Sequence, residues 1–305
     1  MISIDIRPTP THTGAGTPTR PRHGLRIRSR KVLRIPSIGT IIRFLAVLVL
    51  AAVVFLPVYV SFVSAFTPNG EMARSGIVPN PAHVTLRNFH EATTAIPLLR
   101  EYLVSVGVVT LQTVGQLLTG ALAAYALVFP RWRGRRLAFG LVLVTLAIPG
   151  ESIVIPNYEL VSSIGLRDTV LGVVIPYLAA GYPIFLLRQA FAAVPFEIWE
   201  AARLDGAGDL RALFTIIMPT CRPQVTNAII WSALAAWNGF FWPLLITDTA
   251  AARTIQVGIS QLAASEAGSP SVIFAGAVLV VVPTMLLVIF AQRFLINGLS
   301  RGVLR

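Results

Sequence analysis

One short stretch of the chain combines a carboxylate with small side chains at a spacing that suits a protein contact. It reads Glu200–Ala201–Ala202, followed after three residues by Gly206. Small side chains let a second backbone come close, and a carboxylate pairs well with a basic group at a dry contact. The pattern is typical of a helix that fits a groove on a soluble partner. It is equally typical of an amphipathic helix lying on a membrane surface.

The same stretch predicts two short helices. The first extends from Phe196 to Leu204 and ends at Asp205 and Gly206, which form a turn. The second begins near Asp209 and is ended by Pro219. Its apolar residues follow the i, i+3, i+4, i+7 spacing of one helix face, namely Leu210, Leu213, Phe214 and Ile217.

A second group of polar and aromatic residues lies in long apolar runs, where polar side chains are functional candidates. Asn238 and Trp242 are four residues apart and share a helix face, and Trp237 is adjacent. An indole beside an amide suits a sugar ring; the alternative is that the two tryptophans belong to an interfacial aromatic belt. Glu151 and Asn157 lie near the end of another run. They line a vestibule or cap that helix in the headgroup region.

The composition excludes several classes of protein. Of 305 residues, 55% are hydrophobic and 12% charged, with a net charge of +12 and a mean hydropathy of +0.73. A soluble domain has about a quarter of its residues charged, so a soluble enzyme, a nucleic-acid reader and a disordered chain are excluded. The single cysteine excludes a disulfide framework. All four histidines precede residue 91, which argues against a membrane-embedded hydrolase.

Six apolar runs are long enough to cross about 30 Å of hydrocarbon as helices. The predicted fold is therefore an all-α membrane protein with six transmembrane helices. Their predicted bounds are residues 41–66, 102–129, 137–156, 169–187, 225–247 and 272–295. The loop between the fourth and fifth spans, 188–222, holds the Glu200 stretch and is longer than two antiparallel helices need, which is typical of a functional loop.

The basic residues predict the orientation, because Lys and Arg are enriched in cytoplasmic segments. Of the 25 Lys and Arg residues, 20 fall before residue 44, in the second and fourth connections, or at the C-terminus. Both termini and the Glu200 loop are therefore predicted to be cytoplasmic. Residues 1–40 are predicted to be a disordered basic tail beside anionic lipid, and residues 41–305 a single six-span domain.

The Glu200 loop resembles the EAA loop of ABC importer permeases, whose pattern is E-A-A, three residues, G, nine residues, I-x-L-P. The matching residues are Glu200, Ala201, Ala202, Gly206, Ile216, Met218 and Pro219, with Met218 in place of leucine. The wider stretch from about 137 to 304 resembles the permeases of the carbohydrate-uptake family. It is most similar to the second subunit of maltose, other sugar and glycerol-3-phosphate importers, as in WNGFFWPLLI from Trp237 and QRFLINGLSRG from Gln292.

The resemblance implies a transport subunit of the bacterial cytoplasmic (inner) membrane and not an enzyme. Its coupling helix would dock in a cleft of an ATPase dimer, with Glu200 pairing with the ATPase and Asp205 beside the contact. Ala201 and Ala202 would allow close approach, and Gly206 would form the turn. The sequence has no GxxxxGK[ST] loop. No cofactor is therefore expected on this chain, and ATP and Mg would bind to the partner ATPase.

The implied partners are a second permease subunit, two ATPase subunits, an extracytoplasmic solute-binding protein and membrane lipid. The implied cargo is a sugar or related polar solute, with glycerol-3-phosphate or a glycerophosphodiester as the alternative. An ion-coupled secondary transporter is a further alternative, although Glu151 is the only plausible intramembrane carboxylate for it. A scaffold or receptor without transport leaves the EAA spacing unexplained.

Overall fold

The apolar runs of the sequence form helices, and the breaks between them fall at prolines, glycines and polar residues. The structure, a computed structural model, describes residues 38–69, 71, 83–264 and 269–300. Most of the predicted basic tail lies outside the described residues. The chain divides into two units, residues 1–51 and residues 52–305. The described part of the first unit is the first half of one helix.

All regular structure in the described ranges is helical. The first half of the chain contains α1 (Ile38–Phe66), α2 (Arg87–Ala95), α3 (Leu98–Val128), α4 (Arg135–Ala147) and α5 (Val154–Ser163). The second half contains α6 (Val170–Val174), α7 (Gly181–Ala192), α8 (Phe196–Leu204), α9 (Asp209–Ala212), α10 (Met218–Thr220), α11 (Arg222–Trp237), α12 (Phe241–Ile246), α13 (Ile255–Ala264) and α14 (Pro270–Ser300). Short 3₁₀ turns precede α5 and follow α6, and a π-helical turn separates α9 from α10.

Two helices of the described chain are long and apolar enough to cross a membrane, namely Ile42–Phe66 of α1 and the whole of α3. Two bent helix pairs also have the required composition. Arg135–Ala147 and Gly150–Ser163 meet at 100°, and Val170–Tyr177 and Gly181–Ala192 meet at 45°. Counting each bent pair as one span gives four. The helices Ile255–Ala264 and Pro270–Leu286 are shorter apolar segments.

The third predicted span, 137–156, is not one helix. α4 ends at Ala147, and Ile148 is extended because the residue before Pro149 is sterically excluded from the helical region. The fourth predicted span, 169–187, is likewise interrupted. A 3₁₀ turn containing Pro176 separates α6 from α7, and α7 continues to Ala192, five residues past the predicted end.

The fifth predicted span, 225–247, is also divided. α11 begins at Arg222, before the predicted start, and ends at Trp237. After a break at residues 238–240 the chain continues as α12, which has a proline at position 243. The helix α13 was not predicted, because its ten residues are fewer than a membrane span requires.

α3 is the central helix of the second unit and packs against α7, α11 and α13. Near its C-terminal end, a buried cluster joins it to α7 and to the segment after α8, with Leu187, Phe191, Leu213 and Ile217 fully buried. A second cluster joins α2, α13 and α14 around Ile255. The remaining cluster places α12 against α6, with Trp242 and Ile246 buried.

The N-terminal end of α3 buries a charge. The carboxylate of Glu101 is fully enclosed and lies 3.8 Å from Nη1 of Arg253, whose side chain is 15% exposed. It lies so close to the backbone of Gly258 that a methyl group there would overlap it. One turn further along α3, the Ser105 hydroxyl accepts a hydrogen bond of 2.8 Å from the N–H of Ile255. This end of α3 is therefore fixed to the start of α13.

A carboxylate also ties together the two connections that precede α6 and α13. Asp168 has a φ of 54°, and its carboxylate accepts hydrogen bonds from the N–H groups of Asp248 and Thr249 at 2.9 and 3.0 Å. The Thr249 hydroxyl donates a third, at 2.7 Å. Partial burial would raise the pKa of Asp168, but these hydrogen bonds outweigh burial and hold the pKa below its ordinary value.

Candidate functional site

The helix that carries the Glu200 stretch ends in a turn that suits glycine. Gly206 has a φ of +79°, in the left-handed region that side chains other than glycine rarely adopt. The N–H of Ala207 donates to the carbonyl of Ala202 at 3.0 Å, and that of Gly206 donates to Arg203 at 3.1 Å. These two bonds form a Schellman helix end, and both alanines are buried. Ala202 and Gly206 therefore form the end of the helix.

The opposite face of α8 is exposed. Glu197, Glu200, Ala201 and Leu204 follow one another at the i, i+3, i+4, i+7 spacing of one helix face, and all four are exposed. Leu204 is 89% exposed, the highest value of any large apolar side chain in the described chain. The sequence reasoning missed Leu204, although its position four residues after Glu200 was a readable signal. Asp205 is exposed next to this face.

Aromatic rings attach α8 to the C-terminal end of α3. The fully buried ring of Phe129 stacks on Trp199 with centroids 5.8 Å apart and on Phe196 at 6.4 Å. Tyr125, one turn earlier on α3, contacts Phe129 at 5.1 Å. Such pairs contribute about 0.5–1.5 kcal/mol each beyond the area that they bury. The exposed face of α8 is therefore presented by a firmly packed helix.

Hydrogen bonds reinforce the same contact. Nε1 of Trp199 donates to the Tyr125 hydroxyl at 2.8 Å, and this hydroxyl donates to Oδ1 of Asp209 at 3.0 Å. Arg203 lies 3.1 Å from the same carboxylate oxygen. The network links α8, α3 and the start of α9 into one body. The sequence reasoning missed it because Tyr125 and Trp199 are 74 residues apart.

The second predicted helix is irregular. α9 passes into a π-helical turn, Leu213–Ile217, and then into α10. Leu213 and Ile217 are fully buried, whereas Leu210 and Phe214 are exposed, so the predicted apolar face is half correct. Ile216 and Met218 pack against the buried cluster at the C-terminal end of α3. Pro219 lies inside α10, and the helical segment ends one residue later, at Thr220, before a turn at Cys221.

Cys221, between α10 and α11, gives a direct test of this packing. It is buried, its Sγ lies 3.6 Å from the carbonyl of Ala190, and burial raises its pKa to about 11. Because only the thiolate reacts, less than about one thiol in a thousand is reactive at pH 7.5. We expect no maleimide labelling of the folded protein, measured by mass spectrometry. Ala201→Cys, on the exposed face of α8, should label fully, and rapid labelling of Cys221 would contradict the packing described.

A cavity of about 500 Å³ lies where α11 gives way to α12. Three of the five predicted pathway residues line it, namely Glu151, Asn238 and Trp242. The other two do not. Trp237 is buried against Tyr102, with ring centroids 6.0 Å apart, and Asn157 is on α5 outside the lining.

Amide and aromatic side chains line the cavity together with small and aliphatic residues such as Val108, Val173 and Ala235. Nε1 of Trp242 and Nε2 of Gln112 both donate to the carbonyl of Val173 at 3.2 Å. Gln116 donates to the carbonyl of Tyr177 at 2.8 Å, which leaves its buried Oε1 as an acceptor without a partner among the described residues. Gln112, Gln116 and Tyr177 were missed from the sequence. The signal available for them was two glutamines four positions apart in an apolar run.

The cavity lining carries little charge. Among the described residues, Glu151 is the only charged side chain that lines it, and neither arginine nor lysine does. Asn238 donates to the carbonyl of Leu234 at 2.8 Å, which leaves its side-chain oxygen available. The site therefore presents amide oxygens and ring faces. Hydroxyl groups and the C–H face of a ring complement such walls.

Comparison with known proteins identifies the family and the relatives of this chain. Residues 116–301 match the family described as "Binding-protein-dependent transport system inner membrane component". The sn-glycerol-3-phosphate transport system permease protein UgpE of Brucella suis biovar 1 (strain 1330) is 29% identical over 271 residues, covering 86% of this chain and 95% of that protein. UgpE of Yersinia pestis bv. Antiqua (strain Antiqua) is 30% identical over 259 residues, covering 81% and 90%.

A solved structure has the same fold. One chain of a bacterial ABC transporter involved in the import of the acidic polysaccharide alginate superposes with a TM-score of 0.73 at 22% identity, covering 84% of this chain and 96% of that one. The resemblance to carbohydrate-uptake ABC permeases is confirmed. Since the family pattern matches more than half of the sequence and the relatives align over most of their length, the chain belongs to the inner membrane components of binding-protein-dependent transport systems.

Proposed function

We propose that this ABC importer permease carries a neutral sugar or a related polyhydroxylated solute into the cytoplasm. The observation that carries this proposal is the cavity between α3, α6 and the α11–α12 break, whose polar lining is mainly amides and which also contains aromatic rings. Asn238 is exposed at the cavity with its side-chain oxygen available as an acceptor, and a sugar hydroxyl supplies a donor. The rings of Tyr177 and Trp242 offer surfaces for the C–H face of a pyranose.

Glycerol-3-phosphate is the second candidate, and the similarity to sn-glycerol-3-phosphate permeases favours it. A phosphate needs cationic partners when it leaves water, and the described lining supplies none. Glu151 would repel it. Binding of glycerol-3-phosphate would therefore need basic groups from another subunit. Binding of a sugar uses groups of this chain that already line the cavity.

Uptake by cells that express the complete importer distinguishes the two. We expect labelled sugars from a mono- and disaccharide panel to enter in a manner that depends on this chain, and labelled glycerol-3-phosphate not to enter. Asn238→Leu and Trp242→Leu should each lower kcat/KM for the imported sugar about 2- to 10-fold, the value of one hydrogen bond or ring contact. Leu118→Ala, on an exposed part of α3, is the matched control. Import of glycerol-3-phosphate alone would overturn the proposal.

The exposed face of α8 is proposed as the contact with the ATPase. Glu200 supplies a charge without an ion-pair partner in the described chain, Ala201 allows close approach, and Leu204 supplies an apolar surface. Asp205 lies at the edge of this contact. Ala202, Gly206, Ile216 and Met218 hold the segment in place by the helix end and the core packing described above, and Pro219 lies in α10. Some residues of the motif are therefore exposed for the contact and others hold the segment in place, which explains why both small and large residues occur in it.

The proposed assembly follows the family. This chain would pair with a second permease, two ATPase subunits that bind ATP and Mg, and an extracytoplasmic solute-binding protein, and the family description itself names binding-protein dependence. The proposed topology is six spans within residues 41–305, with both termini and the α8 segment cytoplasmic. Its support is the asymmetry of the arginines along the sequence. With the family established, an ion-coupled secondary transporter is no longer proposed.

A further inference from the structure

A basic pocket lies at the start of α4, away from the solute cavity and the exposed face of α8. It has a volume of about 390 Å³. Arg135 and Arg136, the first two residues of α4, and Arg188 of α7 line it. The remaining lining is apolar and includes Phe139, and no carboxylate of the described residues takes part.

The three arginines have no anionic partner in the described part of the chain. Arg188 donates to the amide oxygen of Gln189 at 3.4 Å, and Arg135 donates to the carbonyl of Val128 at 3.5 Å. Nε of Arg188 is buried without a hydrogen-bond partner, although the guanidinium lies 4.4 Å from the ring centroid of Phe139. Placing three like charges around one pocket is costly unless an anion occupies it.

Three helix ends meet at the pocket, and their partial charges differ in sign. α4 has 13 residues, and its N-cap, Gly134, provides no side-chain acceptor. The first N–H groups of a helix lack intrahelical partners, and together they act as a partial positive charge. Val128 and Ala192, the last residues of α3 and α7, also line the pocket, and helix C-termini carry the opposite partial charge. The preference for a phosphate therefore depends on the three guanidinium groups.

An apolar surface leads away from the pocket. Leu143 and Leu146 follow Arg136 and Phe139 on the same face of α4, and they are 40% and 44% exposed. A free phosphate would fill the basic pocket and leave this surface unused. A molecule that joins a phosphate to long hydrocarbon chains would cover both.

We propose that the pocket binds the headgroup phosphate of an anionic phospholipid, whose acyl chains lie along Leu143 and Leu146 of α4. Basic pockets between helices at a membrane boundary are suited to such headgroups. Val128 lines the pocket, and the next residue, Phe129, stacks on Trp199 of α8. The bound lipid therefore lies next to the aromatic contact that holds α8.

Native mass spectrometry of the purified, complete importer in detergent tests the proposal, with phosphatidylglycerol and phosphatidylcholine as probes. We expect the triple variant Arg135→Gln, Arg136→Gln, Arg188→Gln to bind phosphatidylglycerol at least 10-fold more weakly, with phosphatidylcholine binding unchanged. The double variant Arg211→Gln, Arg222→Gln removes exposed arginines elsewhere and should bind like the wild type. Arg188→Lys retains the charge and should retain most of the binding.

Three results would overturn the proposal. The first is equal binding of phosphatidylglycerol by the wild type and the triple variant. The second is displacement of the lipid by millimolar inorganic phosphate, which would assign the pocket to a free anion. The third is loss of the second permease from the purified triple variant with lipid binding intact, which would make this face a subunit interface.

Discussion

Glu200→Arg is expected to lower ATP-driven uptake at least 100-fold while the protein still inserts and assembles in the membrane. Glu200 is exposed and makes no ion pair in the described part of the chain, so its replacement should cost the folded chain little. At a contact with a basic groove, the reversed charge meets like charge, which costs several kcal/mol. Since about 1.4 kcal/mol is a factor of ten in affinity, a loss of 100-fold is a modest expectation.

The measurement is initial uptake rate in cells, together with the ATPase activity of the purified importer. Glu159→Arg reverses an equally exposed acid on α5, outside the proposed contact, and should transport normally. Leu204→Ser should lower uptake about 10-fold through the loss of apolar contact. Wild-type uptake by both Glu200→Arg and Leu204→Ser would remove α8 from the proposed ATPase interface.

Arg253→Ala is expected to lower the free energy of unfolding by about 3–5 kcal/mol, because it leaves the buried carboxylate of Glu101 without a charged partner. Thermal unfolding of the purified protein in detergent measures this effect. The matched control is Arg167→Ala, whose partner Asp248 is about half exposed. That pair should contribute less than about 1 kcal/mol.

A second variant separates the lost charge pair from a simple loss of packing. Glu101→Leu combined with Arg253→Met removes both charges and should recover most of the stability lost by Arg253→Ala. If Arg253→Ala proves no more harmful than Arg167→Ala, Glu101 does not depend on Arg253. If the double variant is as unstable as Arg253→Ala, packing and not charge explains the loss.

Hydropathy predicted that the apolar runs are helical but not where they break. The break after Ala147 results from the steric restriction that Pro149 places on Ile148, and a hydropathy window averages over both residues. α13 has ten residues and is apolar, but it is shorter than the length that marks a span. Local backbone sterics and short helices are therefore where sequence reasoning was weakest.

The sequence also did not predict which side chains face the cavity. Trp237 and Trp242 look equivalent in the sequence, yet α11 ends at the first and α12 places the second at the cavity. The directions of the two tryptophan side chains can be predicted from the sequence only if one regular helix continues through both residues. Gln116 was missed because its position depends on Tyr177, which lies 61 residues away in the 3₁₀ turn between α6 and α7.

The length of α3 has a mechanical consequence. Its 31 residues extend about 46 Å at 1.5 Å per residue. At one end Phe129 stacks on Trp199 of α8, and at the other Glu101 lies against Gly258 at the start of α13. A stiff lever of this length turns a tilt of about 10° at one end into a displacement of about 8 Å at the other. If α3 tilts as one rigid helix about its contact with α8, its opposite end is displaced by this larger amount.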